Sequence, residues 1–220
     1  PGTGLANTST VNGALVGAPF PLILEHLGTW VQQNQPVPAG SWDWTTTTYA
    51  QFDQLFLQSV EMYGRVIGTA NPDLTGFKKA GGKLIIWQPQ TGGPFSPQDM
   101  VNWYTDMSRV MGGEGQGGFE KTQEFARLFM LPGVNHCGGG PGTSSIDAFS
   151  PLVNWVENGN PPDTILGTAP ATGTPFPGRT RALCPYPAYA KYKGSGSIEL
   201  AESFECHVDK HRGHNHGHDD

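Results

Sequence analysis

Six side chains in this sequence have the chemistry to do work on a substrate or to fix a fold covalently: one histidine, three cysteines and two aspartates near them. His136 is the first of these. It follows the short apolar run Leu128–Leu131, which reads as a buried strand, and the turn signal Pro132-Gly133. Cys137 comes next, then Gly138-Gly-Gly140 and Pro141-Gly142, a run that lets backbone approach backbone closely. A histidine on a loop just past a buried strand stands where open α/β sheets gather their chemistry, and imidazole titrates in the range a general base needs. Cys184 and Cys206 are close enough in sequence to close a small loop, a link worth roughly 3 kcal/mol. Their pairing leaves Cys137 over, as a thiol with a partner elsewhere or as a reactive group. Asp99 and Asp147 sit near the starts of two expected helices, one on either side of the His136 segment.

The elements that must position these groups follow from local pattern. Lys83-Leu-Ile-Ile-Trp87 is a β-branched apolar run of the kind found in parallel strands covered on both faces. Ser96-Pro97-Gln98-Asp99 gives a cap residue, proline at the first helical position and an acid at the third, so a helix should begin there and turn Val101, Tyr104, Met107 and Val110 or Met111 inward. Gly112 to Gly118 reads as a flexible connection. The strand Leu128–Leu131 should then run parallel to Leu84–Trp87 through a right-handed crossover. Ser144 to Asp147 reads as a second capped start, with Ile146, Phe149, Leu152, Val153 and Val156 on the inner face and Gly159 as the stop. Upstream, 1–19 reads as loop, Pro21–Gln33 as loosely helical, and Tyr49–Tyr63 as an amphipathic helix carrying Phe52, Leu55, Phe56, Val60 and Tyr63. The two tryptophans before it, Trp42 and Trp44, suit either a core or an aromatic pocket. Residues 161–180 read as a Pro/Gly/Thr-rich surface strap. The tail 207–220 is polar and rich in histidine, so disorder is expected there, with metal binding as the other use of such a tract.

Composition narrows the classes. The chain has 220 residues, of which 31 are glycine and 19 proline, which favours many turns and long loops over a helical bundle. A formal net charge of −6 gives no nucleic-acid surface and no polybasic membrane patch. No apolar run approaches the twenty or so residues that a membrane helix needs. The first residue is Pro1, as expected of a processed product or fragment, and Asn7-Thr8-Ser9 is a glycosylation sequon.

Strand, helix, strand, His-loop, helix is the closing half of a doubly wound sheet. In α/β-hydrolases the catalytic residues come in the chain order serine, acid, histidine, so a nucleophile for His136 has to lie upstream. No Gly-x-Ser-x-Gly elbow occurs in residues 1–135. The segments Asn71-Pro-Asp-Leu-Thr-Gly-Phe77, Gly81-Gly-Lys-Leu-Ile-Ile-Trp87, Phe129-Met-Leu-Pro-Gly-Val-Asn-His-Cys-Gly-Gly-Gly-Pro141, Trp155-Val-Glu-Asn-Gly159, Arg179-Thr-Arg-Ala-Leu-Cys-Pro-Tyr-Pro187 and Tyr192-Lys-Gly-Ser-Gly196 resemble the C-terminal part of the tannase and feruloyl esterase family. That family also includes bacterial esterases acting on aromatic monoesters from polyester breakdown.

The resemblance implies an α/β fold: residues 81–206 as the C-terminal part of an α/β-hydrolase core, 1–80 as the end of a lid region, and 207–220 as a tail. It implies a secreted or periplasmic carboxylic ester hydrolase for aromatic or phenolic esters, with His136 as base and the serine outside this sequence. Cys137 would be bonded to a cysteine beside that serine, on the N-terminal part of the same enzyme, and Cys184 to Cys206. A structural calcium ion would belong to the lid part not present here, and the chain itself would carry no cofactor. The family's aspartate is expected just after the strand ending at Trp87, where this chain has Gln88-Pro-Gln-Thr-Gly-Gly-Pro94 with Gly92 at the acid's position. Asp99 is the nearest substitute, though its place suits helix capping, and Asp147 is another. Without an acid, the protein would be an impaired relative or a binding scaffold.

Overall fold

A computed structural model describes residues 7–18, 20–32, 42–91, 96–136 and 138–209. The chain divides into two compact units, 4–70 and a larger one from residue 71 onward.

In the smaller unit, Asn7–Val11 (β1) and Ala14–Ala18 (β2) form an antiparallel hairpin rather than the expected loop. Its turn is Asn12-Gly13, both with positive φ, the sequence signature of a tight two-residue hairpin connection. Pro21–Glu25 (α1) continues into a π-helical turn, His26–Val31, whose Leu27 and Val31 are buried. Tyr49–Ile67 (α2) starts on a capping box: the Gln51 amide donates to the Thr48 hydroxyl, and the Thr48 amide donates to the Gln51 side-chain oxygen. One flank of α2 meets the π-helical turn. Tyr63 donates to the Trp30 carbonyl at 2.8 Å, and His26 Nε2 lies 2.6 Å from Ser59 Oγ.

The larger unit is built on two parallel strands, Leu84–Pro89 (β3) and Ala126–Leu131 (β4), paired from Leu84↔Ala126 to Pro89↔Leu131. The period-2 alternation of a strand sends its side chains to two separate cores. Ile85, Phe129 and Leu131 join Trp155, Val134, Ile165 and Leu183 on one face. Ala126 and Leu128 join Tyr104, Met107 and Phe125 on the other, with Leu84, Ile86 and Met130 packed against them. Helices cover both faces, as a doubly wound α/β arrangement requires. The short Thr75–Lys79 (α3) precedes β3, and between the two strands come Pro97–Gly112 (α4) and Gly115–Gln123 (α5). Residues 71–80, expected with the lid region, belong to this unit, since Leu74 packs against the Tyr104 cluster.

The flexible connection expected over Gly112–Gly118 is largely the helix α5. A Cβ on Gly118 would overlap the Gly113 carbonyl, so glycine serves close backbone approach here. On α4, Tyr104 and Met107 are buried as expected, and of Val110 and Met111 it is Met111 that packs against their cluster while Val110 is exposed.

After β4, the expected helix start at Ser144 is instead a short strand, Ser145–Ile146 (β5), and the helix runs Phe149–Asn158 (α6). Its buried residue is Trp155; Phe149 and Val156 are exposed, against the expected stripe. Lys83 Nζ and the Arg127 guanidinium lie 5.4 and 5.5 Å from the Trp155 ring, while the ring itself packs in the core with Val134, Ile165 and Leu183, and Leu152 packs beside it. The strap contains two strands, Ile165–Thr168 (β6) and Thr180–Leu183 (β7), which form an antiparallel sheet in the order β5-β6-β7. Beyond β7 the chain runs antiparallel beside β4, with a bridge Phe129↔Pro185 and the Tyr186 amide donating to the Leu128 carbonyl at 2.7 Å. Tyr189–Tyr192 (β8) and Phe204–His207 (β9) make the last hairpin, so His207, expected in the tail, ends a strand.

Candidate active site

The exits of the two parallel strands are stitched together by backbone. The Gln90 amide donates to the Leu131 carbonyl at 3.1 Å, and the Thr91 amide to the Val134 carbonyl at 3.0 Å. Val134 is buried under the loop and holds it down, and two residues later His136 is exposed on a turn. The loop closes on itself beyond it. Asn135 donates from its amide to the Gly139 carbonyl at 3.2 Å, Gly138 to the Asn135 carbonyl at 3.0 Å, and Gly142 to the Gly133 carbonyl at 2.8 Å. Glycine is required at two points of this fold-back. Gly140 has φ +83°, and a Cβ on Gly142 would overlap the Pro132 carbonyl oxygen. The sequence therefore places His136, an exposed residue, beyond the carboxyl end of a parallel strand, on a braced loop.

β4 is anchored at its start by Arg127. This guanidinium donates to the Gln123 carbonyl at 3.1 Å, the Pro162 carbonyl at 2.7 Å and the Asp163 carboxylate at 3.0 Å. Neither this anchor nor the paired amides at Gln90 and Thr91 were read from the sequence. Backbone amides carry no residue-type signal, and an arginine at a strand start looks like any surface cation.

Asp99 lies in the first turn of α4, exposed, behind a Ser96 cap whose hydroxyl accepts from the Gln98 amide at 3.2 Å. Asp147 accepts from the Phe149 and Ser150 amides, both at 3.0 Å, and so caps α6. Hydrogen bonding from Ser150, side chain before amide, holds this carboxyl below the usual aspartate range. Cys184 and Cys206 form a disulfide with Cα atoms 5.6 Å apart, which ties the chain leaving β7 to β9. Gly92, Cys137 and the tail histidines from His211 onward lie outside the described residues.

Among the described residues, no three His, Cys, Asp or Glu side chains are grouped to hold a metal ion. No helix among the described residues is long and apolar enough to cross a membrane.

The family described as tannase and feruloyl esterase matches residues 22–207. A probable feruloyl esterase of Arthroderma benhamiae is 36% identical over 212 residues, covering 94% of this chain and 37% of that protein. The mono(2-hydroxyethyl) terephthalate hydrolase of Piscinibacter sakaiensis is 42% identical over 143 residues, covering 63% of this chain and 22% of that one. Among solved structures, feruloyl esterase B from Aspergillus oryzae superposes with a TM-score of 0.71 at 25% identity, covering 86% of this chain and 37% of its own. Tannin acyl hydrolase from Aspergillus niger, at 22% identity, shares the fold with a TM-score of 0.75 over 92% of this chain and 36% of that one. The chain thus spans between a fifth and two fifths of the length of these proteins. With its fold shared and most of its sequence matched, the chain belongs to the tannase and feruloyl esterase family.

Proposed function

We propose that this chain supplies the general base of a serine-type carboxylic ester hydrolase acting on aromatic or phenolic esters. The observation that carries this is His136: exposed, at the carboxyl end of β4, on a loop braced against the exit of β3. The nucleophilic serine belongs to polypeptide outside this sequence, and a disulfide from Cys137 to that polypeptide would hold the two in register. His136 takes the proton from the serine hydroxyl as its oxygen attacks the ester carbonyl. It returns that proton to the departing alcohol, then repeats the exchange with water to free the acid. Secretion or a periplasmic location agrees with the Cys184–Cys206 disulfide.

The test is a chimera in which residues 71–209 replace the matching part of the Arthroderma relative, assayed on methyl ferulate. His136→Ala should lower turnover by about 10³-fold or more. Equal rates for the two chimeras would dispose of a catalytic His136.

A second reading is favoured by one feature. Gly92 stands where the family places its acid, Asp147 is committed to capping α6, and Asp99 lies in the first turn of α4. On this reading the fold is kept and the chemistry is lost, leaving a binding or scaffold protein. Gly92→Asp in the same chimera separates the two. A gain approaching 10⁴-fold, the scale of an absent acid in a serine triad, marks an impaired but otherwise complete site. No gain favours the scaffold.

A further inference from the structure

The register of β3 and β4 decides which backbone groups each strand spends on the other. The Leu84 amide donates to the Phe125 carbonyl at 2.8 Å and the Gln90 amide to the Leu131 carbonyl at 3.1 Å, at the two ends of the ladder from Leu84↔Ala126 to Pro89↔Leu131. Successive residues of a strand turn their backbone groups to opposite sides. Leu84, Ile86 and Gln88 therefore face β4, and Ile85, Trp87 and Pro89 face the opposite edge. Proline at 89 agrees with this, since the N–H it lacks falls on the side away from the ladder. Its carbonyl accepts from Gln88 Nε2 at 3.0 Å.

The outer groups of β4 are used. The Ala126 carbonyl accepts from the Tyr104 hydroxyl at 2.9 Å, and the Leu128 carbonyl from the Tyr186 amide at 2.7 Å. On β3 the outer groups of Ile85 and Trp87 meet no second strand: among the described residues, β4 is the one strand paired with β3. Yet β3 has the character of an inner strand. Ile85 is 7% exposed in one core, while Leu84 and Ile86 pack against the other. The run Leu84–Trp87 carries no charge and no proline of the kind that blunts a true sheet edge. Trp87 is half exposed and stands outside the cluster that Ile85 joins. Continuous apolar runs of this type belong to strands with parallel neighbours. The solved relatives have chain to supply one, since the feruloyl esterase and tannin acyl hydrolase structures are matched over only 37% and 36% of their length.

We infer that the outer edge of β3 is the docking surface for a strand from the part of a family-length enzyme that this sequence does not span. The incoming segment is extended, apolar on both faces and parallel to β3. Its amides and carbonyls pair with those of Ile85 and Trp87, and a side chain beside Trp87 covers that ring. Strand addition of this kind draws its affinity from main-chain hydrogen bonds. The inference shares its outside polypeptide with the esterase proposal but requires neither His136 nor Cys137.

Hydrogen exchange resolved to single amides tests it, on the full chain and on the chimera in which residues 71–209 replace the matching part of the Arthroderma relative. In the full chain the Ile86 and Gln88 amides should be protected and those of Ile85 and Trp87 should exchange freely. In the chimera Ile85 and Trp87 should slow by about 100-fold or more. Trp87→Pro removes an outward amide that β4 does not use, and Trp87→Ala keeps it. The proline variant should melt well below the alanine variant in the chimera, and the two should melt together in the full chain. Unchanged exchange at Ile85 and Trp87 in the chimera, or equal melting of the two variants there, overturns the inference. So does slow exchange of these amides in the full chain: independent of concentration, it shows an edge covered from within; rising with concentration, a second copy. Turnover is not read, so protected amides in an inactive chimera uphold the inference and count against the esterase reading alone.

Discussion

The two units differ in what their regular apolar patterns bury. In the larger unit Phe125, Phe129, Tyr104 and Trp155 are fully or almost fully buried, shared between the two faces of β3 and β4. In the smaller unit Phe52, Phe56, Val60 and Ile67 recur at helical spacing on α2, and all are exposed; Phe56 keeps 58% of its surface. The pattern of apolar residues is equally regular in both. The difference lies in what each element can meet. A parallel pair with helices on both sides buries most of its second strand and feeds side chains to a core on each face, whereas a helix laid on one π-helical turn covers the flank bearing Ser59 and Tyr63. Amphipathic periodicity thus identifies a face suited to burial without saying that the face is buried. A stripe of this extent is seldom left to water by a monomer.

The largest expected effect tests this contrast directly. Phe129→Ala should cost about 3–5 kcal/mol, because it opens a cavity between β4 and Trp155, whereas Phe56→Ala should stay within about 0.5 kcal/mol. Urea unfolding of both variants measures the difference. A loss for Phe56→Ala comparable to that for Phe129→Ala would show the stripe to be covered in solution and end the comparison.

A smaller effect concerns the polar member of the buried set. The Tyr104 hydroxyl donates to the Ala126 carbonyl at 2.9 Å, and burial pushes its pKa well above the usual tyrosine range. Tyr104→Phe keeps the packing and loses the bond, so it should cost about 1 kcal/mol in the same unfolding experiment. No loss would mean that the hydroxyl merely fills space.

The smallest is at the surface. The Asp147 carboxyl is held below its ordinary value by Ser150, so its folded pKa is lower than its unfolded one. Its contribution should be complete above about pH 3.9, the unfolded value, and disappear as pH falls through the folded value. Asp147→Asn should therefore unfold more readily than wild type at neutral pH, and the two curves should converge in acid. Parallel curves down to the lowest pH would exclude the cap.

Much of the site's frame was legible in advance. Leu84–Trp87 and Leu128–Leu131 announce parallel strands by their continuous apolar runs, and the Pro-Gly turn places His136 just past the second. The phase of α6 was not legible. Ile146 and Leu152 pack inward as their spacing implies, but Phe149 and Val156 do not, because the inner face runs through Trp155, whose partners Val134, Ile165 and Leu183 come from other segments. The β1–β2 hairpin had a readable signal in Asn12-Gly13, set among small polar residues that look like loop. α5 was hidden because its glycines look like a flexible connection, whereas one of them, Gly118, serves a close approach to the end of α4.

The stitched exits of β3 and β4 carry a consequence for how sequences of this kind can change length. With Gln90 and Thr91 bonded to Leu131 and Val134, an added residue in either segment breaks the match with the other and swings the imidazole out of line. Insertions between Trp87 and Thr91, or between Leu131 and His136, should be rejected unless they arrive as compensating pairs.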